Sequence, residues 1–375
     1  MLRKTSSLFL LSIFLFTSVA VFATSVERDP TKRKGAGHLF QIRRGKLWGY
    51  IDRTGKVMIE PRFDYEGDFF HGLARVRKNG KWGYIDEQGR QVIAFQFDDA
   101  LDFIGELAPV RVGRKWGYID LEGRWIVSPR FQAAGEMISG LARVVLWTRV
   151  SCGNGNYTNA NAPDHALVMP DLITSLTTGC FPRDARYGFI DKAGRFAIDP
   201  QLEHAEDFSE GLAVFASGPK FGYVDVSGNV AIAPQFERVQ SFSEDLAVAQ
   251  LNGKSGYIDR SGKWVIQAQY DYAGNFSEGL ARVLIRGSMG YIDKTGRMVI
   301  QPQFAEAWDF SEGLASVWKN DESSYIDPLG KIILRLAKAP WGFSDGLTVV
   351  GEYPERVYVD KKGKVVAFYE VGSQF

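Results

Sequence analysis

An all-β chain of tandem 34-residue units, stacked as an open curved array of β-meanders, is the fold class this sequence predicts. Three observations carry the prediction. An Asp-x-x-Gly tetrad recurs nine times at near-constant spacing, and short β-branched or alternating runs separate its copies. No stretch between them holds a 3.6-residue period long enough for a helix.

The tetrads begin at Asp52, Asp86, Asp120, Asp191, Asp225, Asp259, Asp293, Asp327 and Asp360. Their glycines are Gly55, Gly89, Gly123, Gly194, Gly228, Gly262, Gly296, Gly330 and Gly363. Successive steps are 34, 34, 71, 34, 34, 34, 34 and 33 residues, so the one long step carries an insertion of 37. In each tetrad the carboxylate can accept a backbone N–H two residues on, and the glycine can take the positive φ that closes a hairpin with a bulge. A turn requirement therefore explains the recurrence without any chemistry.

The chain start carries Arg3 and Lys4, an apolar run from Leu8 to Phe22, and small residues around Ala23. That layout predicts a cleaved secretory signal over 1–23, since the run falls short of the roughly 20 residues a membrane span needs. A basic linker over 24–37 follows, then repeats 1–3 over 38–146, the insertion over 147–187, repeats 4–9 over 188–370 and a tail over 371–375. No later apolar run approaches spanning length, which predicts no membrane span after cleavage. Formal net charge is +1, and losing Arg3 and Lys4 makes it −1. Such a chain has no global field to hold nucleic acid.

Within a unit, three strands are expected, at "LARV", "WGYID" and "VIxPQF", with a shorter extended piece near "DFSEG". Pro61, Pro129, Pro200, Pro234 and Pro302 cannot donate to a ladder and should end the third strand or sit on an edge. Phe63, Phe97, Phe131, Phe236 and Phe304, with Phe208, Phe276 and Phe310, are expected to plug the core between units.

"KLWGYID", "GKWGYIDEQG", "GRKWGYIDLEG" and "KFGYVDVSG" resemble the WG (KWG) β-repeat family, over almost all of 39–368. The resemblance implies a tandem all-β array, common on exported bacterial proteins and serving for interaction rather than catalysis. The tryptophan slot departs from the family pattern after Trp48, Trp82 and Trp116, reading Tyr187, Phe221, Ser255, Met289, Ser323 and Arg356. Any role specific to tryptophan thus belongs to the first three units.

Ring or array turns on the ends. The first unit begins with its own strand at 38–42, and the last finishes with its own at 365–369, which leaves nothing to interlock. A period of 34 is also short of the roughly 40–45 residues of a four-stranded blade. Both cues favour the open array over a propeller-like closed ring.

The insertion holds the only cysteines, Cys152 and Cys180, which in an exported chain predicts a disulfide. His165 lies between them, yet no metal-ligand spacing accompanies it. No G-x-S-x-G, H-E-x-x-H or EF-hand loop occurs, and the carboxylates at the turns repeat in every unit. A basic residue follows the turn glycine in eight units, Lys56 and Arg90 among them, and reads as a solvated edge that deters sheet pairing.

The expectation is a secreted or periplasmic monomer without enzymatic activity, cofactor or metal. It would act as a scaffold for a protein or cell-envelope component, with no nucleic acid. Its candidate binding residues are Trp48, Trp82, Trp116 and His165. Binding of cell-wall glycan by the three tryptophans is the alternative, and it requires their rings to be exposed.

Overall fold

The computed structural model describes residues 39–147, 149–152, 155–158, 180–182, 184–336, 342–351, 356–368 and 370–371. The segments expected to be a signal and a linker, His38, His165 and most of the insertion lie outside the described residues.

The expected open array is wrong: the nine units close into a nine-bladed β-propeller. Blade 7 shows the plan, with strands Tyr272–Ala273, Leu280–Ile285, Ser288–Asp293 and Met298–Phe304 hydrogen-bonded in that order. Blades 2 to 8 are each an antiparallel meander of four strands, not three. The extra strand is the short piece before "DFSEG", only two residues long in blades 3 and 5 to 8. That brevity is how 34 residues suffice for a blade. Among the described residues blade 9 contributes three strands.

Closure also uses chain that the sequence reading left without a role. Glu370–Val371 pairs in parallel with Arg43–Arg44 and adds a fourth strand to blade 1. Blade 9 then meets blade 1 through the same contacts that join consecutive blades. The hydroxyl of the "GY" tyrosine donates to the next blade's backbone at 2.8 Å from Tyr50 to Gly67 and 2.7 Å from Tyr257 to Gly274. At the seam Tyr358 donates to Gln41 at 2.9 Å, and its ring packs edge-on against Phe40. Ile42, Ile51, Leu347 and Tyr358 share one core cluster across the seam.

The tetrads fold as expected. All nine glycines have positive φ, from 76° to 86°. In every turn the Asp Oδ1 accepts two backbone N–H groups, as Asp259 does from Ser261 and Lys263. The turn also packs on the preceding blade: a Cβ on Gly262 would lie 2.9 Å from Ile232.

The glycine of "WG" has a different cause. Opposite it the outer strand bulges, so Ser255 faces Tyr270 while Tyr257 faces Ile266. The bulge drives the outer backbone into the glycine, and a Cβ on Gly256 would sit 2.5 Å from the Ile266 carbonyl oxygen. Pro61, Pro129, Pro200, Pro234 and Pro302 occupy that bulge on the outermost strand, where no neighbour needs their missing N–H. Where the glycine is Ser324 or Val357, the bulge is gone and the outer strand shrinks from seven residues to four. The predicted phenylalanine plugs are all buried.

Candidate functional site

The ring has two faces. One carries the Asp-x-x-Gly turns together with the loops that join first and second strands. Ion pairs between those loops prove the shared face: Lys294 reaches Glu244 at 3.1 Å and Lys361 reaches Glu312 at 3.1 Å, each across a blade boundary. Arg53 and Asp345 repeat the relation over the seam at 3.4 Å.

On this turn face a belt runs through blades 5 to 9. Ser209, Ser243, Ser277 and Ser311 each donate to the next blade's phenylalanine carbonyl at 2.7–2.8 Å. The adjoining glutamates accept backbone N–H groups of the next blade's loop, as Glu278 does from Glu312 and Gly313 at 2.6 and 2.8 Å. Equivalent residues of successive blades touch only near the axis of a ring, on the order of 10 Å from it for nine blades. The first strands and these loops therefore line the centre, and the bulged strands form the rim.

Blades 1 to 4 lack the belt but hold ion pairs between blades. Arg75 meets Asp102 at 2.9 Å, with side chains 15% and 1% exposed, and Arg143 meets Asp207 at 3.0 Å. At the same place Gln41 donates to Asp68 at 2.9 Å, and in blade 7 Arg282 faces Asp309 at 3.3 Å. Where the arginine position becomes Val214 or Val248, the facing residue is Ser241 or Asn275. Beside this network sits Glu66, whose carboxyl burial pushes up to about 7; Asp68 adds to the rise, and Arg75 and Arg43 oppose it.

The opposite, hairpin-tip face carries the turns between second and third strands, such as Lys78-Asn79-Gly80-Lys81. The insertion leaves the ring here, between Leu146 and Arg186 of blade 4. Its described backbone forms a three-stranded sheet in which Cys152 and Cys180 are direct antiparallel partners.

The sequence-predicted tryptophans do not come together as a surface. Trp82 and Trp116 are 8% and 3% exposed, and Trp48 is partly buried. They stand one per blade on the third strand, each beneath an arginine of the second. The residue that joins the blades is the tyrosine two places on, present in eight units and replaced by Phe189 in the other. Its recurrence beyond that of tryptophan was the available signal. Four of the eight post-turn bases are absorbed by their own turns: Arg90, Arg124, Arg195 and Arg297 pair with Asp86, Asp120, Asp191 and Asp293. Among the described residues no three metal-ligating side chains converge, and no helix is long and apolar enough to cross a membrane.

A closed ring of antiparallel blades whose turn and core residues repeat defines a β-propeller. Its blades match the WG containing repeat model at 48–82, 82–116, 116–146, 187–217, 221–254, 256–287 and 289–322, and the chain belongs to that family. No curated protein sequence matches it. Among solved structures, the crystal structure of a eukaryotic initiation factor is similar at 11% identity and a TM-score of 0.54, over 88% of this chain and 95% of that one. The dihydro-heme d1 dehydrogenase NirN, in complex with DHE, is similar at 13% identity and a TM-score of 0.38, over 85% and 76%. The first of these likenesses concerns the fold alone.

Proposed function

We propose that this propeller is a non-catalytic binding scaffold of an exported protein, presenting the insertion of blade 4 to a protein or cell-envelope component. One observation carries the reading. Turns, tyrosine bridges and the belt recur from blade to blade and hold blades together, while the insertion is a long departure confined to one blade and leaves the ring on one face. In repeat proteins such insertions gather on the binding face.

Two supports accompany it. Cys152 and Cys180 face one another across an antiparallel ladder, where Cα atoms lie about 4.5–5.5 Å apart, within the span of a disulfide. A cross-link there would fasten the loop's neck in an oxidising compartment, in keeping with the signal-like start of the chain.

The test is a pull-down from envelope fractions with the mature chain and with a variant whose residues 148–185 are replaced by Asn-Gly. The variant should fold, because Trp147 keeps its place in the core and the resulting three-residue loop ending in glycine is a common hairpin closure, and should lose the partner. Full capture by the folded variant would reject the insertion as the site. N-terminal sequencing checks export, with a mature end near Thr24 expected and an intact Met1 contradicting it.

A further inference from the structure

Blade 8 breaks the pattern of the rim. In blades 1 to 7 the outermost strand bulges opposite its glycine, and in blades 1, 3, 4, 5 and 7 a proline sits in that bulge. Bulges and prolines both close a sheet edge to a further strand. Blade 8 has neither. With Ser324 in the glycine position, Ser324 faces Arg335 and Tyr325 faces Leu334 in unbroken register, and the Leu336 N–H carries the ladder on to Ser323 at 3.4 Å. Of the guards used elsewhere, only the base after the turn, Lys331, and the shortness of the strand remain.

The same hairpin carries the most exposed large apolar residue among those described. Leu329, in its turn, is 85% exposed, and Ile332 and Ile333 of the outer strand are 43% and 46% exposed. Other blades expose an apolar residue in the place of Ile333, as Met58, Val92, Ile126 and Val265 do, but on bulged edges. Blade 9 also lacks bulge and proline, yet its turn presents Lys361 and Lys362 and its outer strand leads into the seam. The three side chains of blade 8 leave on the order of 300 Å² of surface open. Two copies in stable contact bury roughly 800 Å² each, so this area suits a short extended segment and not a second copy. Charge does not choose the occupant, because Arg335 is paired with Glu322 and Lys331 shares its turn with Asp327.

We propose that the outer edge of blade 8 takes up a short extended segment of a partner protein as an added strand, whose apolar side chains cover Leu329, Ile332 and Ile333. The backbone of Ile332–Arg335 supplies hydrogen bonds that ignore sequence, and the three side chains select apolar residues at alternate positions of the segment. A four-residue edge forms few such bonds, so the apolar contacts provide much of the affinity. The site lies apart from the insertion of blade 4, and neither reading depends on the other.

The experiment measures fluorescence anisotropy of a short labelled peptide alternating Ile with Thr, titrated with the mature protein. A second peptide of the same sequence carries an N-methyl group on every internal amide and cannot donate to a ladder. It should bind wild type about tenfold more weakly than the first, or worse. The variant combining Leu329→Asn, Ile332→Thr and Ile333→Thr should weaken binding of the first peptide about tenfold or more. Met58→Thr with Val265→Thr, on the bulged edges of blades 1 and 6, should change it by less than about twofold. Equal binding of the two peptides overturns strand addition in favour of contact between side chains alone. Equal weakening by both variants, or no binding to wild type, also overturns the proposal. So does a wild-type dimer in sedimentation that the triple variant splits, since a second copy would then be the occupant. Thermal melts check that both variants fold, and the two peptides test wild type without them.

Discussion

Blades 5 to 9 and blades 1 to 4 are written on one repeat, yet their neighbours are held by different means. The later blades add a belt of short-range bonds, serine hydroxyl to carbonyl and glutamate carboxylate to backbone N–H, each between residues of neighbouring blades 32 to 35 apart. The earlier blades do without the belt and rely on buried charge, above all Arg75 with Asp102, a pairing that the later blades keep as Arg282 with Asp309. The belt costs little desolvation because its carboxylates stay near the surface, whereas a buried pair stabilises only while both partners remain. The early blades should therefore tolerate single substitutions less well, and blade 4 among them carries the insertion.

The largest effect should come from a feature common to both halves. Gly256→Val places a side chain where even a Cβ lies 2.5 Å from the Ile266 carbonyl, and should destabilise the ring by about 4 kcal/mol in denaturant melts. A neutral effect there would remove the account of why "WG" needs glycine.

Next comes the contrast itself. Arg75→Ala strands Asp102, 1% exposed, and should cost about 3 kcal/mol. Adding Asp102→Asn, the residue this position already has in blade 7 as Asn275 facing Val248, should restore most of the loss. Ser277→Ala removes one belt bond and should cost about 1 kcal/mol. Equal costs for Arg75→Ala and Ser277→Ala would erase the distinction between the two halves.

The blade content of the sequence was legible because its causes are local. Asp-x-x-Gly turns, phenylalanine plugs and edge prolines each follow from one residue's conformational or burial demands. Closure was not legible, because it depends on angles between sheets that no single residue sets. The 38–42 strand looked complete, yet it accepts Glu370–Val371 in parallel, a pairing no periodicity announces. The tryptophans drew notice as rare residues, although their slot tolerates Ser255 and Met289 while the neighbouring tyrosine hardly varies.

Smaller effects follow from pH. Hydrogen bonds from the turn side chains and backbones hold tetrad aspartates such as Asp191, Asp259 and Asp293 low, with Asp293 at about 2, led by Thr295 and Arg297. Their contribution is full above the ordinary Asp value near 3.9 and is lost as pH falls toward 2. Glu66 works in the opposite sense. Its folded value near 7 lies above the unfolded one, so stability declines as pH rises from about 4.5 through 7. Glu66→Gln should flatten that decline in thermal melts and leave the acid limb unchanged. An unaltered profile would place Glu66 in contact with water.

The closed ring is the claim on which both faces depend, and a spin-label distance between the first and last blades tests it most directly. Arg53→Cys and Asp345→Cys, labelled and measured by pulsed electron resonance, should report a single distance below about 25 Å, since their side chains pair at 3.4 Å across the seam. Nine sheets stacked without closure, each about 10 Å from the next, would put the same labels well beyond about 40 Å apart. That longer distance would contradict the propeller.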